Sequence, residues 1–274
     1  MKNKRIILFL LLAFGWSWIN WFIGLYFLSA GINDESIGHF VRYFFIGVYG
    51  PVIASIITTL TFGGLSETFA LFKKIVIWKF PVFNYLAAFI LPLLFLGSGI
   101  ALYSLFIGSP GNIGEQAALA IPFTLWRALF AGPLGEELGW RGFLLPELQE
   151  NNSAIKSSVI LGAIHCVWHL PLFWAPFGSL PSGQPFSALL LITYLVLVIC
   201  WSCVQTWLVN SSKGSVLIAI LFHLFINVGI VLMFFPEIYS DANKAKLVYY
   251  LSTVLTIPFT IFLCAKTKLN SRLI

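Results

Sequence analysis

Residues 187–209 read SALLLITYLVLVICWSCVQTWLV and contain no Asp, Glu, Lys or Arg. A helix needs about 20 mostly apolar residues to cross the hydrocarbon core of a bilayer, so this stretch is long enough to span one. Further apolar runs lie at about 5–30, 39–62, 81–107, 116–132, 156–175, 215–235 and 247–265. None shows the alternation of short strands that is typical of a membrane β-barrel. The sequence therefore predicts an all-α, polytopic membrane protein with about eight transmembrane helices.

The composition agrees with a membrane protein. Hydrophobic residues make up 59% of the chain and charged residues 9%, whereas about 25% of the residues in a soluble domain are charged. No internal repeat or long linker divides the chain, so we expect one domain. Within it, 1–115 contains the N-terminal spans, 116–235 a core, and 236–274 a last span with a basic tail. Residues 64–80 are too charged to span and predict a helix on the membrane surface.

The positive charges are distributed unevenly between the predicted loops. Lys and Arg occur at the N-terminus, in alternate loops and after the last span, at Lys2, Lys4, Arg5, Lys73, Lys74, Lys79, Lys156, Lys213, Lys266, Lys268 and Arg272. Loops 31–38, 108–115 and 176–186 contain neither residue, and only loop 236–246 departs from this pattern. Because cytoplasmic loops are enriched in Lys and Arg, we expect both termini to be cytoplasmic.

The net charge of +6 flanks the spans and predicts contact with anionic membrane lipid. No basic patch is organised for nucleic acid, so no nucleic-acid partner is expected. The first apolar run follows a basic N-terminus but continues to about Leu28 without a small-residue cleavage site. This pattern favours a retained first helix over a signal peptide.

The polar residues of greatest chemical interest begin at 135–141, which read GEELGWR. Charged side chains are costly near hydrocarbon, so their presence indicates a functional site. On a helix, Glu137 and Arg141 share a face, whereas Glu136 points about 100° away. We expect Arg141 to neutralise Glu137 and leave Glu136 as a general base that takes a proton from water. The alternative is that both glutamates are simply solvated at a cytoplasmic helix end.

Two histidine segments follow in later apolar runs. His165 and His169 are four residues apart, as are His223 and Asn227, so each pair shares a helix face. The first pair can chelate a metal, but it lacks the glutamate of the zinc-binding HExxH helix because Cys166 occupies that place. The second pair can donate hydrogen bonds to one developing oxyanion. Alternatively, these side chains only hydrogen-bond between spans.

A carboxylate, a histidine and a His–Asn pair together supply the groups that hydrolysis of an amide by an activated water requires. No serine or cysteine has a base partner at helical spacing, which disfavours a covalent nucleophile. Cys200 and Cys203 form a CxxC pair, but no further Cys or His stands at zinc-finger spacing, so a structural zinc is not expected.

These residues resemble the CPBP (CAAX protease and bacteriocin-processing, Abi) family of intramembrane proteases, which includes the Ras-converting CAAX prenyl endopeptidases and bacterial immunity proteins. The family's motifs EExxxR, aromatic-xxxH and HxxxN fall in order on Glu136, Glu137, Arg141, His165, His169, His223 and Asn227, and WRGFLLPEL extends the first motif over 140–148. Position 165 departs from the pattern, because it is His where the family usually has Phe or Trp. That difference can add a polar group or a metal ligand beside the site.

The resemblance implies that 116–235 is a catalytic core. In it, Glu136 and His169 would activate the water, His223 and Asn227 would form the oxyanion hole, and Glu137 with Arg141 would hold the site together. It further implies a peptide or lipidated-peptide substrate, with a prenylated CAAX peptide as the best-known class. The expected location is the bacterial plasma membrane.

The cofactor can be interpreted in two ways. Either the glutamate acts as the base without a metal, or zinc is bound by Glu136, His169 and His223, a His₂Glu set found in catalytic zinc sites. We favour the metal-free interpretation, because Asn227 has a natural oxyanion role and no separate base is left if Glu136 is a ligand.

Two other functions compete with hydrolysis. One is a non-enzymatic bacteriocin-immunity or scaffold protein that keeps the motifs without turnover. The other is a proton-coupled transporter that uses the buried Glu, Arg and His as a relay. The transporter interpretation predicts inverted repeats and charged residues in both halves of the chain, and neither feature is evident in the sequence.

Overall fold

The computed structural model describes residues 2–109, 121–175, 186–234 and 242–269, and every regular element in these ranges is helical. The α-helices are α1 (Lys2–Ser29), α2 (Asp34–Val48), α3 (Gly50–Lys73), α4 (Val82–Phe106), α5 (Ile121–Phe130), α6 (Pro133–Glu137), α7 (Leu145–Gln149), α8 (Ala154–Trp168), α9 (Ala188–Ser211), α10 (Val216–Phe234) and α11 (Ala242–Thr267). A π-helix (Leu138–Leu144) joins α6 to α7, and 3₁₀ turns (Lys74–Val76 and Leu170–Trp174) follow α3 and α8. The all-α prediction is confirmed.

Several helices are long and apolar enough to cross a bilayer. By length and composition, five segments qualify among the described residues, namely Asn3–Ser29, Asp34–Val76, Val82–Phe106, Ala188–Ser211 and Lys246–Thr267. Two shorter apolar helices, Ala154–Trp168 and Val216–Ile230, accompany them. The chain is therefore a polytopic membrane protein. The predicted run at 116–132 is described only from residue 121, where α5 is 10 residues long.

The predicted run at 39–62 is divided between two helices. α2 starts earlier, at Asp34, where the Asn33 side chain accepts from Ser36 N and forms a capping box. α3 begins at Gly50 with Pro51 in its first turn, a position where proline's missing N–H costs no helical hydrogen bond. At Gly64, φ is +68° and α3 kinks, so 65–73 forms a separate helical leg. Its placement on the membrane surface stays a prediction.

The helices pack in three sets around the segment that contains the carboxylates. α1 packs against α2 and α3, whereas α4 packs against α10 and α11, and α8 packs against α9. Gly135 and Gly139 seat the α6–π segment on the α2–α3 junction, because a Cβ at these positions would lie 2.7 Å from Val48 O and 2.4 Å from Pro51 O. Only glycine allows two backbones to approach this closely.

Polar contacts gather distant segments at one end of the helical bundle. Arg5 on α1 donates to Glu147 on α7 (2.9 Å) and to Glu67 on the kinked leg of α3 (3.0 Å). Lys74 Nζ donates to Gly142 O in the π-helix at 2.6 Å. The N-terminus and the end of the carboxylate segment therefore lie at the same end.

Two further bonds bring later loops to this end. Ser215 Oγ donates to Ile77 O at 2.6 Å, and Asn210 Nδ2 donates to Leu269 O at 3.0 Å. These contacts adjoin the loops that contain Lys79, Lys213 and Lys268. The Lys-rich loops that the sequence assigned to one side of the membrane are thus close together in space.

Candidate active site

The segment 133–149 presents its charged side chains to the interior. Glu136 and Glu137 are 2% and 0% exposed, and Arg141 is 2% exposed. The π-helix winds this segment more widely than an α-helix, a distortion that is frequent at functional sites. Both carboxylates are therefore buried. The alternative interpretation, that the two glutamates are solvated at a helix end, is wrong.

Glu137 forms the centre of one of two polar clusters in the site. Arg141 Nη1 lies 3.3 Å from Glu137 Oε1 and 3.2 Å from Oε2, as the four-residue spacing predicted. The segment lies outside the five candidate spans. Burial raises the pKa of Glu137, but the charges of Arg141 and His223 outweigh it, so the pKa of this carboxyl is lowered overall.

Two residues from other helices also contact Glu137. His223 Nδ1 on α10 is 2.6 Å from Glu137 Oε1, and Gln205 Nε2 on α9 donates to the same oxygen at 3.2 Å. Because the carboxylate accepts, His223 donates through Nδ1, and its Nε2 faces the site. The sequence interpretation missed Gln205, although an amide inside the apolar run at 187–209 was a usable signal.

Glu136 belongs to a second cluster, which contains both histidines of α8. Glu136 Oε2 is 3.1 Å from His165 Nε2, and His165 Nε2 is 3.1 Å from His169 Nε2. One ligand-capable atom from each of these three residues lies within 4.8 Å of those from the other two. This set differs in its third member from the predicted Glu136, His169 and His223, and the identity of the metal ligands stays a prediction. His223 is held by Glu137 on the other side of the site.

The two halves meet at Gly132. A Cβ placed on this glycine would lie 3.0 Å from His223 Nε2, 3.1 Å from Asn227 Nδ2 and 3.1 Å from Glu136 Oε1. Three polar atoms from two helical segments therefore converge on one small volume that the glycine leaves open. Asn227 also donates to Ala128 O at 3.4 Å, and its amide has a second N–H for another acceptor.

Aromatic rings enclose the histidine side of the site. Trp140 stacks on His165 with ring centroids 5.5 Å apart, and His169 stacks on Trp21 at 6.1 Å. Trp168 is fully buried between Trp21 and Trp140. Arg5 and Trp21 are 16 positions apart on α1, which corresponds to about 24 Å of helix. The site therefore lies well inside the bundle and away from the Arg5 end.

Comparison with known proteins bears on the same region. Residues 118–229 match the family model described as Type II CAAX prenyl endopeptidase Rce1-like. This match includes all the residues that form the two clusters. Over these residues the chain is similar to the CAAX prenyl endopeptidases. A curated protein named CAAX prenyl protease 2, from Methanococcus maripaludis, is 29% identical over 94 residues, which cover 34% of this chain.

The CAAX protease match has a limited extent. The aligned residues span 35% of the length of the Methanococcus protein, and the family model begins after α4. The helices α1 to α4 therefore lie outside the family-model match, although Trp21 of α1 contributes to the wall of the site. The family similarity rests on the part of the chain that supplies the polar residues.

Proposed function

We propose that this protein is an intramembrane endopeptidase that hydrolyses a peptide bond with an activated water. The observation that supports this best is the convergence of Glu136 Oε1, His223 Nε2 and Asn227 Nδ2 beside Gly132. Hydrolysis by an activated water needs a base and oxyanion donors around one reacting carbonyl. Here the Glu136 carboxylate is the base, and the two nitrogens of His223 and Asn227 are the donors.

In the proposed reaction, Glu136 accepts a proton from a water molecule that His169 helps to position. A water that makes two hydrogen bonds of about 2.8 Å can bridge atoms up to roughly 5.6 Å apart. One ligand-capable atom of Glu136 and one of His169 lie within 4.8 Å of each other. The water oxygen then forms a bond to the scissile carbonyl carbon. The C–N bond breaks when Glu136 returns the proton to the leaving amine.

The oxyanion that forms in this step is stabilised by His223 and Asn227. Because His223 Nδ1 donates to Glu137, Nε2 can donate as well only when the imidazole is protonated. The Glu137 carboxylate stabilises that imidazolium, and Arg141 keeps Glu137 ionised. Arg141 and Gln205 are thus positioning residues that act through Glu137.

The substrate class proposed is a lipidated peptide at the membrane, with a prenylated CAAX-like C-terminus as the first candidate. Its basis is the name of the Methanococcus relative, CAAX prenyl protease 2, and the enclosure of the site among apolar helices. We further propose that the Lys-rich end and both termini face the cytoplasm, and that the host membrane is a bacterial plasma membrane.

The decisive experiment compares purified wild type with Glu136→Gln on a fluorogenic farnesylated CAAX peptide. We expect Glu136→Gln to lose at least about 100-fold in kcat, because general-base catalysis contributes 10² to 10⁴. Glu35→Gln is the matched control, since Glu35 lies at the start of α2 and its side chain is 87% exposed. Equal cleavage by wild type and Glu136→Gln would refute the mechanism. Absence of cleavage by the wild type across lipidated and unlipidated peptides would favour the scaffold interpretation.

A further inference from the structure

His165 gives this site a property that the hydrolytic scheme does not use. Its Nε2 lies 3.1 Å from Glu136 Oε2 and 3.1 Å from His169 Nε2. We propose that Glu136, His165 and His169 form a binding site for one divalent transition cation of the zinc class. This inference goes beyond the proposed protease activity and stands on geometry without it.

The distances between the three ligand atoms suit a tetrahedral cation. Zinc binds imidazole nitrogen and carboxylate oxygen at about 2.0–2.1 Å, which puts neighbouring tetrahedral ligands roughly 3.3 Å apart. Two of the three separations are 3.1 Å. The third is within 4.8 Å, and zinc binding would bring it within about 4.2 Å, which is twice the zinc–ligand distance. Two imidazoles and one carboxylate are also a donor set that zinc accepts, with the fourth position left for water.

Hydrogen bonding does not account for the cluster equally well. A neutral imidazole has one N–H, so His165 Nε2 cannot donate to Glu136 and also accept from His169. Among the described residues, Glu136 Oε2 has no hydrogen-bond partner despite the short separation. A cation would use the lone pairs of all three atoms at once, and both histidines can then hold their proton on Nδ1.

Burial strengthens the case for a ligand. Glu136 is 2% exposed and His165 is 7% exposed, and a buried carboxylate oxygen that accepts no hydrogen bond is costly. Stacking on Trp140 and on His169 fixes the His165 ring between the other two ligands. His223 lies outside the set of ligand atoms that are all within 4.8 Å of one another.

The test measures metal binding directly on the purified full chain after treatment with a chelator. Zn²⁺ stoichiometry and Kd are obtained by competition with a fluorescent zinc chelator, and Co²⁺ is added to record its visible absorption. We expect one Zn²⁺ per chain and Co²⁺ bands typical of four-coordinate geometry. His165→Phe is expected to weaken Zn²⁺ binding about 100-fold, which is at the upper end of the loss for a residue supporting a metal site.

Three variants make the test specific. Phe retains an aromatic ring at 165, and a thermal unfolding midpoint near that of wild type verifies that the variant folds. His39→Phe is the matched control, because His39 on α2 contacts Glu35 and lies outside the cluster; its Kd should equal that of wild type. His223→Ala distinguishes the proposed ligand set from the set predicted from the sequence, which contains His223 in place of His165. Its Kd for Zn²⁺ should stay within about threefold of the wild-type value. Wild-type affinity in His165→Phe, or no stoichiometric zinc in the wild type, would overturn the proposal.

Discussion

Arg5 and Glu147 are 142 residues apart in the sequence, yet Arg5 Nε donates to Glu147 Oε1 at 2.9 Å. Arg5 also donates to Glu67, and its side chain is only 16% exposed. This ion cluster ties the first helix to the end of the segment that contains Glu136. Helices α1 and α3, which lie outside the family match, are therefore attached to the matched segment by charge as well as by packing.

Replacing Arg5 with Met is expected to destabilise the protein, because it leaves two half-buried carboxylates without their donor. Charge-assisted hydrogen bonds contribute about 1.5–3 kcal/mol each, so we expect the free energy of unfolding to fall by about 2 kcal/mol or more. Reversible unfolding in mixed micelles measures this change. Arg42→Met is the control, since Arg42 is exposed on α2, and an equal effect of the two substitutions would contradict the role given to Arg5.

Gly132→Ala is expected to impair turnover much more than folding. The added methyl would lie 3.0–3.1 Å from atoms of His223, Asn227 and Glu136, so it occupies the volume assigned to the reacting carbonyl. Gly132 has φ of −176°, a value any residue adopts, and backbone strain is not expected. We predict a loss of about 100-fold in kcat, comparable to the loss of an oxyanion donor.

The comparison for this prediction is Gly139→Ala, whose methyl would approach Pro51 O within 2.4 Å. It should lower the thermal midpoint because the α6–π segment must move away from α3. Gly38→Ala, where nothing lies within 4 Å of the new Cβ, should leave kcat unchanged and should not lower the thermal midpoint, because alanine favours a helix more than glycine does. If Gly132→Ala lost stability and retained kcat per folded molecule, the assignment of the open volume would be wrong.

Asn227→Ala is predicted to reduce kcat by about 10² to 10³ with little change in KM, because an oxyanion donor acts mainly in the transition state. Asn227→Asp keeps the size but removes the donor and should be equally impaired. The measurement is steady-state kinetics on the farnesylated peptide. A rise in KM at constant kcat would instead assign Asn227 to substrate binding.

The sequence predicted those features that follow from local helical geometry. Apolar runs of sufficient length indicated the all-α membrane fold, and four-residue spacing predicted the contact between Glu137 and Arg141. Contacts between helices were not predictable in this way, because periodicity says nothing about which faces meet. The proximity of Glu136 to His165 and of Gln205 to Glu137, and the π-helix after Glu137, depend on such tertiary packing.

Glu137→Gln should show a pH-dependent loss of stability. The pKa of Glu137 is lowered from its ordinary value of 4.5, so its ionised form stabilises the fold fully above pH 4.5. That contribution is lost as the pH falls through the lower pKa of the folded state. At pH 7 the variant leaves Arg141 unpaired, and we expect it to be about 3 kcal/mol less stable than wild type.

The difference in the free energy of unfolding between wild type and Glu137→Gln should become smaller below pH 4.5. The Glu137 carboxyl of the wild type is then neutralised as well. Unfolding free energies of both proteins at several pH values in one detergent give this difference directly. A gap that is constant or that widens on acidification would show that Glu137 is not held ionised by Arg141 and His223.

Zinc is predicted to inhibit peptide hydrolysis, a consequence that rests on both proposals. Glu136 and His169 would hold the water in one case and the cation in the other, so occupancy by zinc removes the base. The measurement is the ratio of turnover with and without added Zn²⁺ in each protein, which cancels any change in basal rate. Wild type and His39→Phe should be inhibited at similar concentrations, and His165→Phe should need about 100-fold more zinc. Equal sensitivity of all three proteins to zinc would show that the inhibitory cation binds outside the Glu136, His165 and His169 cluster. Activation by zinc would instead refute the metal-free glutamate mechanism and support a metal-dependent one.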